Sequence, residues 1–179
     1  RLKIDNINQF IQNNISQNHV PIMANGVALD MDDVVHLAIS GSSGSGKSYF
    51  VEYLIRSIRH FTDDITLVDP KMADIYLLGK DLKLPVLSPK QGSNLNSFIT
   101  EVNEVLGQVI DKIYRRQQLL LENPKANLKR CYLVIDELLA LVQGSSKQAR
   151  DTFSQLLGTV ALLGRATNVS LILVSQRFD

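Results

Sequence analysis

Eight residues restrict this chain to very few folds. Gly41-Ser42-Ser43-Gly44-Ser45-Gly46-Lys47-Ser48 fits the pattern G-x-x-x-x-G-K-[ST] and lies between an apolar, strand-like run and an amphipathic, helix-like run. The flanks are Val34-Val35-His36-Leu37-Ala38-Ile39 and Tyr49-Phe50-Val51-Glu52-Tyr53-Leu54-Ile55. A flexible Ser/Gly linker would not be framed in this way, whereas a strand, a phosphate-binding loop and a helix would be. Gly41, Gly44 and Gly46 are expected to take backbone angles closed to other residues, turning successive N–H groups inward around phosphate oxygens. The helix N-terminus adds its positive end. The expected nucleotide-binding segment is therefore Gly41, Ser42, Ser43, Gly44, Ser45, Gly46, Lys47, Ser48 and Tyr49. Lys47 would reach the β and γ phosphates of ATP, and the Ser48 hydroxyl would ligate Mg²⁺.

The rest of the chain supplies the partners such a loop requires. The first twenty residues place Ile4, Ile7, Phe10, Ile11 and Ile15 at helical spacing, and turn signals at Asn25-Gly26, Asp30 and Asp32-Asp33 suggest a small hairpin. Residues 1–33 thus read as a lead-in helix and hairpin, and 34–179 as the main domain. Its first strand spans 34 to 40, and the helix after the loop runs to about Arg59. Ile65-Thr66-Leu67-Val68 forms a second strand that stops at Asp69-Pro70, followed by a short helical piece from Ala73 to Leu78. A Pro/Gly/Asn-rich connection from Pro85 to Asn96 leads to a long helix marked by Phe98, Val102, Val105, Val109, Ile110 and Ile113 and ended by Pro124. The third strand is 131 to 135, a helix covers about 148 to 163, and the last strand is 169 to 174. Continuous apolar runs bounded by turn residues are what strands buried on both faces look like. Alternation with helices implies parallel pairing and ligands beyond the carboxyl ends of the strands.

Composition bounds the function. With 19 basic against 18 acidic side chains the net charge is +1, so no global basic field announces nucleic acid. Cys131 lacks a second cysteine to pair with and sits in an apolar run, which fits a buried, inert thiol in a reducing compartment. His19, His36 and His60 show no zinc-type spacing, and His36 reads as a core or strand-edge residue. No apolar stretch reaches the length of a membrane span. A chain that begins at Arg1 and stops at Asp179 reads as a piece of a longer protein, which could itself be membrane-anchored.

Leu133-Val134-Ile135-Asp136-Glu137 carries the second half of the chemistry. At a strand end, Asp136 can hold the Mg²⁺ shell while Glu137 polarises a water for in-line attack on the γ-phosphate. A phosphotransferase needs no such glutamate, so the pair favours a hydrolase. The plainer alternative is that Asp136-Glu137 merely opens the next helix with favourable charge. Gln176, after the last strand, can sense the γ-phosphate and attacking water; the plainer alternative is a simple polar strand end. Arg165 can act as a finger on a neighbouring subunit's nucleotide, or can simply complement a helix dipole.

Several segments together resemble the motor domain of the FtsK/SpoIIIE family, within the HerA/FtsK group of RecA-like ATPases. They are VVHLAISGSSGSGKS, ITLVDPKMADI, CYLVIDELLALV and LLGRATNVSLILVSQRFD. The family typically has Pro-His-Leu-Leu-Val-Ala-Gly before its loop, Arg-Ala-Ala-Gly-Ile-His for the Arg165 segment, and Thr-Gln-Arg-Pro where this chain has Ser175-Gln176-Arg177-Phe178. The resemblance implies a RecA-like P-loop ATPase with a parallel sheet in the order 1-4-3-2, the fifth core strand and the small DNA-orienting winged-helix domain lying outside this sequence. It also implies one subunit of a ring, usually a hexamer, that uses ATP to translocate double-stranded DNA. Lys47, Ser48, Asp136, Glu137 and Gln176 carry over by position, with Arg165 as the finger. Compactness of this kind is similar to coupling proteins of Gram-positive conjugative elements, which implies a cytoplasmic domain that works with a membrane channel or relaxosome proteins.

Two other classes compete. A protein-export ATPase of the type VII secretion kind shares the fold, but such sequences tend to show Asp-Phe-Lys-Gly where this chain has Asp69-Pro70-Lys71. A scaffold that binds nucleotide without hydrolysis is disfavoured by the intact Lys47, Asp136 and Glu137. Arg115-Arg116, Lys125, Lys129 and Arg130 are too few to establish DNA binding on charge alone.

Overall fold

In the computed structural model the described residues are Gln9, Ile11, Gln12, Ile15, 18–22 and 27–176. Ile4, Ile7 and Phe10 of the expected lead-in helix, the Asn25-Gly26 turn and residues 177–179 lie outside them. The hairpin forms from β1 (His19–Pro21) and β2 (Ala28–Asp30), antiparallel with Val20 opposite Leu29. It leans on the main domain through the Tyr53 hydroxyl, which donates to the Pro21 carbonyl at 2.6 Å, and through buried Val20 and Met31.

The main domain contains β3 (Leu37–Ser40), α1 (Lys47–Ile58), β4 (Ile65–Val68), α2 (Asp74–Asp81), β5 (Val86–Leu87) and α3 (Leu95–Glu122). It continues with β6 (Cys131–Ile135), α4 (Leu138–Gln143), α5 (Lys147–Leu163), a one-turn 3₁₀ helix (Arg165–Thr167) and β7 (Val169–Ser175). The sheet is parallel, in the order β3-β7-β6-β4-β5. The four strands expected from sequence stand in the expected order, with the phosphate-loop strand at an edge, paired among the described residues only with β7.

Two expectations need correction. The sheet has five strands rather than four, because Val86 and Val68's neighbour Leu87 extend it inside the stretch read as a connection. A two-residue strand between Pro85 and Ser88 is too short for any periodicity to register. The first strand also begins at Leu37 rather than at 34. Here the His36 ring, through Nδ1, accepts the Leu171 N–H at 3.0 Å, so a side chain occupies the place of a ladder bond.

The period of two divides each central strand between two cores. Tyr132 and Val134 of β6 face α1 and α2, packing with Leu54, Ile55, Ile58, Ile75 and Leu78. Cys131, Leu133 and Ile135 face α3 and α5, packing with Phe98, Val102, Leu106, Phe153 and Val160. Burial on both faces explains why β6 is apolar throughout and why its Cys131 thiol, pushed up by burial, is inert. The 28-residue α3 starts at Asn94, whose side chain accepts the Ser97 N–H at 2.8 Å, and α5 starts at Ser146, which accepts from Ala149.

His36 ties β7 to α5, since its Nε2 lies 2.9 Å from the Ala161 carbonyl. These two bonds select the neutral ring with the proton on Nε2. Burial, aided by nearby Arg130 and opposed by the bond to Ala161, lowers the imidazole pKa below its ordinary 6.5. In the window below 6.5 the unfolded chain therefore binds the proton more readily than the folded one. The stability from this group is complete above that window and is lost as pH falls through it. We expect the thermal midpoint of the unaltered protein to lose ground to that of His36→Ala between pH 7 and pH 5, as read by circular dichroism melts.

Candidate functional site

The parallel register brings the carboxyl ends of the strands to one side of the sheet, β3 and β7 running two residues beyond β6 and β4. Ser40 pairs with Ser175, Leu173 with Ile135, and Ile135 with Val68, so the loops after β3, β7, β6 and β4 emerge together. A cleft of about 580 Å³ opens there. Of the residues predicted from sequence, Ser42, Ser43, Gly44, Gly46, Lys47, Ser48, Tyr49, Glu137 and Gln176 line it.

Gly44 and Gly46 have φ of 77° and 90°, in the left-handed region, and Gly46 caps α1. Gly41 does not share this conformation. Its requirement is space, since a Cβ there would stand 2.6 Å from the Ser45 Oγ. The first turn of α1 contains no acidic residue, leaving the positive helix end and its free N–H groups for an anion. Tyr49, 80% exposed, stands at the mouth of the cleft.

Asp136 and Glu137 follow β6 and have different surroundings. Asp136 is half-buried, and its carboxyl is pushed up to about 6, chiefly by burial and further by the charges of Asp69 and Glu137. The Glu137 N–H, donated to Asp136 Oδ1 at 2.9 Å, and the Lys47 ammonium act against that rise. Glu137 is left-handed, φ 47° and ψ 50°, at the residue before α4. Such a backbone costs a non-glycine residue ~1 kcal/mol or more. A helix does begin here, as the plainer reading had it, but the Glu137 side chain makes no cap bond. Its Oε1 lies instead 3.1 Å from Lys71 Nζ and 3.8 Å from Lys47 Nζ.

Lys71 was not among the residues picked out from sequence as site residues. The signal available was Asp69-Pro70-Lys71 at a strand end, but its geometry depends on a buried carboxylate. Asp69 is fully buried and accepts the N–H groups of Lys71, Ala73 and Tyr76 at 2.8–2.9 Å. It thereby holds the turn that presents Lys71 and starts α2. Arg56 was also missed: it bonds Glu52 at 3.0 Å and Asp81 at 2.8 Å and joins α1 to α2 beside the cleft.

Ser48 and Asp136 offer hard oxygen donors suited to Mg²⁺. Among the described residues no group of three or more His, Cys, Asp or Glu side chains could hold a metal alone. Two protein donors suit an ion whose shell is completed by phosphate oxygens and water, and a dication would offset the crowding of carboxylates at Asp136. Arg165 does not join the cleft. It is exposed in the 3₁₀ helix before β7, at the opposite end of the sheet.

The basic residues weighed for DNA are partly engaged inside the fold. Arg116 donates to the carbonyls of Thr167, Asn168 and Lys129, and Arg130 to the Asp32 and Val34 carbonyls and the Ser170 hydroxyl. No helix among the described residues is long and apolar enough to cross a membrane.

Residues 20–70 match the family model described as helicase HerA, central domain. The chain is 24% identical over 174 residues to the FtsK domain-containing protein YdcQ of Bacillus subtilis, covering 94% of this chain and 35% of that protein. It is 28% identical over 168 residues to the DNA translocase FtsK of Campylobacter jejuni, covering 87% and 17%. These curated relatives are thus far longer than this chain. Among solved structures, the pCW3 conjugation coupling protein TcpA, in its monomer form with ATPγS, is similar at a TM-score of 0.71 and 24% identity, covering 90% of this chain and 48% of that one. The cytoplasmic domain of the type VII secretion ATPase EccC of Thermomonospora curvata is similar at 0.67 and 21%, covering 99% and 24%. At these identities the structural likeness establishes the fold.

The three glycines should respond differently to substitution. No atom of the described residues lies within 4 Å of a Cβ at Gly44 or Gly46, so alanine there acts through backbone strain alone. We expect Gly44→Ala and Gly46→Ala to lose ~1–2 kcal/mol in nucleotide-free chemical denaturation. Gly41→Ala should lose less, because the Ser45 hydroxyl can turn away.

Proposed function

Because this chain is a P-loop ATPase domain of the FtsK/HerA type, we propose that it hydrolyses ATP to drive translocation of double-stranded DNA. The observation that carries the hydrolytic half is the Glu137 carboxylate, presented in the cleft opposite Lys47 of the glycine loop. Lys47 and the N–H groups of the loop and of α1 bind the phosphates. Ser48 and Asp136 would hold Mg²⁺, which when bound neutralises charge on the β and γ phosphates. Glu137 accepts a hydrogen bond from a water and aligns its oxygen with the γ phosphorus. The bond from that phosphorus to the bridging oxygen breaks as the new one forms, and Gln176 contacts the transferred group from the end of β7. Arg165, exposed away from its own cleft, serves a neighbour's nucleotide in a ring, taken to be a hexamer.

DNA as cargo rests on the relatives named DNA translocases and on the conjugation coupling protein. With a coupling protein's role, the partners would be a membrane channel or relaxosome proteins, and the chain would work on the cytoplasmic side. The likeness to the secretion ATPase makes polypeptide export the competing outcome.

The test is steady-state ATP hydrolysis by the intact protein with and without linear double-stranded DNA at two salt concentrations. We expect several-fold stimulation that fades as salt rises, because phosphate contacts release counterions. Hydrolysis without any response to DNA would instead favour a polypeptide substrate. Lys47→Ala should abolish nucleotide binding, whereas Glu137→Gln should bind nucleotide normally and turn over ~100-fold more slowly or worse. Normal turnover by Glu137→Gln would overturn the role given to that residue.

A further inference from the structure

We propose that Lys71 is a positioning residue for Glu137, fixing one carboxylate oxygen so that the other can orient the attacking water. The inference rests on the ATPase reading above and deepens it. Both cations near Glu137 approach the same atom, Oε1, Lys71 at 3.1 Å and Lys47 at 3.8 Å. Lys47 belongs to the phosphate loop, and a bound nucleotide draws its ammonium to the phosphates. Lys71 is then the cation that stays with the carboxylate.

The surroundings are built for this role on both sides of the contact. Glu137 is only 15% exposed while the Lys71 side chain is 48% exposed, so solvent weakens the pairing from the lysine side alone. Its backbone is held in the left-handed region, which sets where its side chain leaves the chain. Across from it, Met72 is also left-handed, with φ 53°, and the three N–H groups held by Asp69 fix the turn on both sides of Lys71. A long lysine side chain thus starts from a rigid base and ends on a rigidly based carboxylate. Glu137 and Met72, the residue after Lys71, thus both carry strained backbone at the two ends of one ion pair.

The test compares Lys71→Ala and Lys71→Arg, each also combined with Glu137→Gln, in the intact protein. Turnover number, KM for ATP, affinity for a non-hydrolysable ATP analogue and thermal midpoint are measured for each. We expect Lys71→Ala to lower kcat ~10-fold or more with KM and analogue affinity changed less than about twofold, and Lys71→Arg to recover most of the loss. In the Glu137→Gln background the same alanine change should alter the residual rate by less than about twofold, since the two residues act as a unit. Unchanged or raised kcat in Lys71→Ala overturns the proposal, a rise meaning that the pair restrains Glu137 instead. A loss that persists undiminished in the Glu137→Gln background, or that follows the thermal midpoint and is not recovered by arginine, also overturns it. Failure of the ATPase reading itself has a different signature: the unaltered protein would not hydrolyse ATP, and Lys47→Ala would change nothing.

Discussion

Everything at the cleft depends on parallel pairing in one register. Four strands, drawn from distant parts of the chain, end within two residues of one another on the same side because β3 pairs with β7, β7 with β6, and β6 with β4 without a bulge. In a strand a slip of one residue exchanges the two faces. It would turn Tyr132 and Val134 toward α3 and α5 and displace Asp136 from the end of β6. Burial on both faces makes such a slip costly, so the two cores that fix the fold also fix the spacing between the glycine loop and the acidic pair. The chemistry is carried by loops, but their positions are set by apolar side chains well below them.

How much of this was legible in the sequence varied with the length of the signal. β4, β6 and β7 were readable as continuous apolar runs between turn residues, and the glycine loop with its two flanks fixed the strand-to-helix joint. β5 was not readable, since Val86 and Leu87 owe their strand conformation to pairing with Leu67 and Val68 rather than to any pattern of their own. The late start of β3 was hidden because it depends on a histidine ring standing in for a backbone acceptor. The three loop glycines look alike in a pattern but answer to two different constraints, conformation at Gly44 and Gly46 and space at Gly41. Lys71 was invisible for a further reason: its partner lies 66 residues away, and only a folded Asp69 turn aims it there.

Counting charges along the chain overstated what is available to a polyanion. Arg116 is occupied by three carbonyls at the amino ends of β6 and β7, and Lys112 is bound to Asp64 at 2.8 Å. These cations anchor α3 to the sheet at the end remote from the cleft. The near-neutral composition and this internal use of basic side chains point the same way: few of the cations weighed from sequence are left for an external anion.

The contacts around the cleft also form a closed path. From the N-terminus of α1 it runs along that helix to Arg56, across to Asp81, back along α2 to the Asp69 turn, out through Lys71 to Glu137, and home to Lys47. In kinematic terms this is a linkage whose last member is joined to its first. An open arm can bend at one joint and leave the others alone, whereas a closed linkage must share any displacement among all its joints. The loosest joint is the 3.8 Å step from Glu137 to Lys47, and an anion that draws Lys47 away would open the linkage there, leaving Glu137 tied to α2 through Lys71 alone.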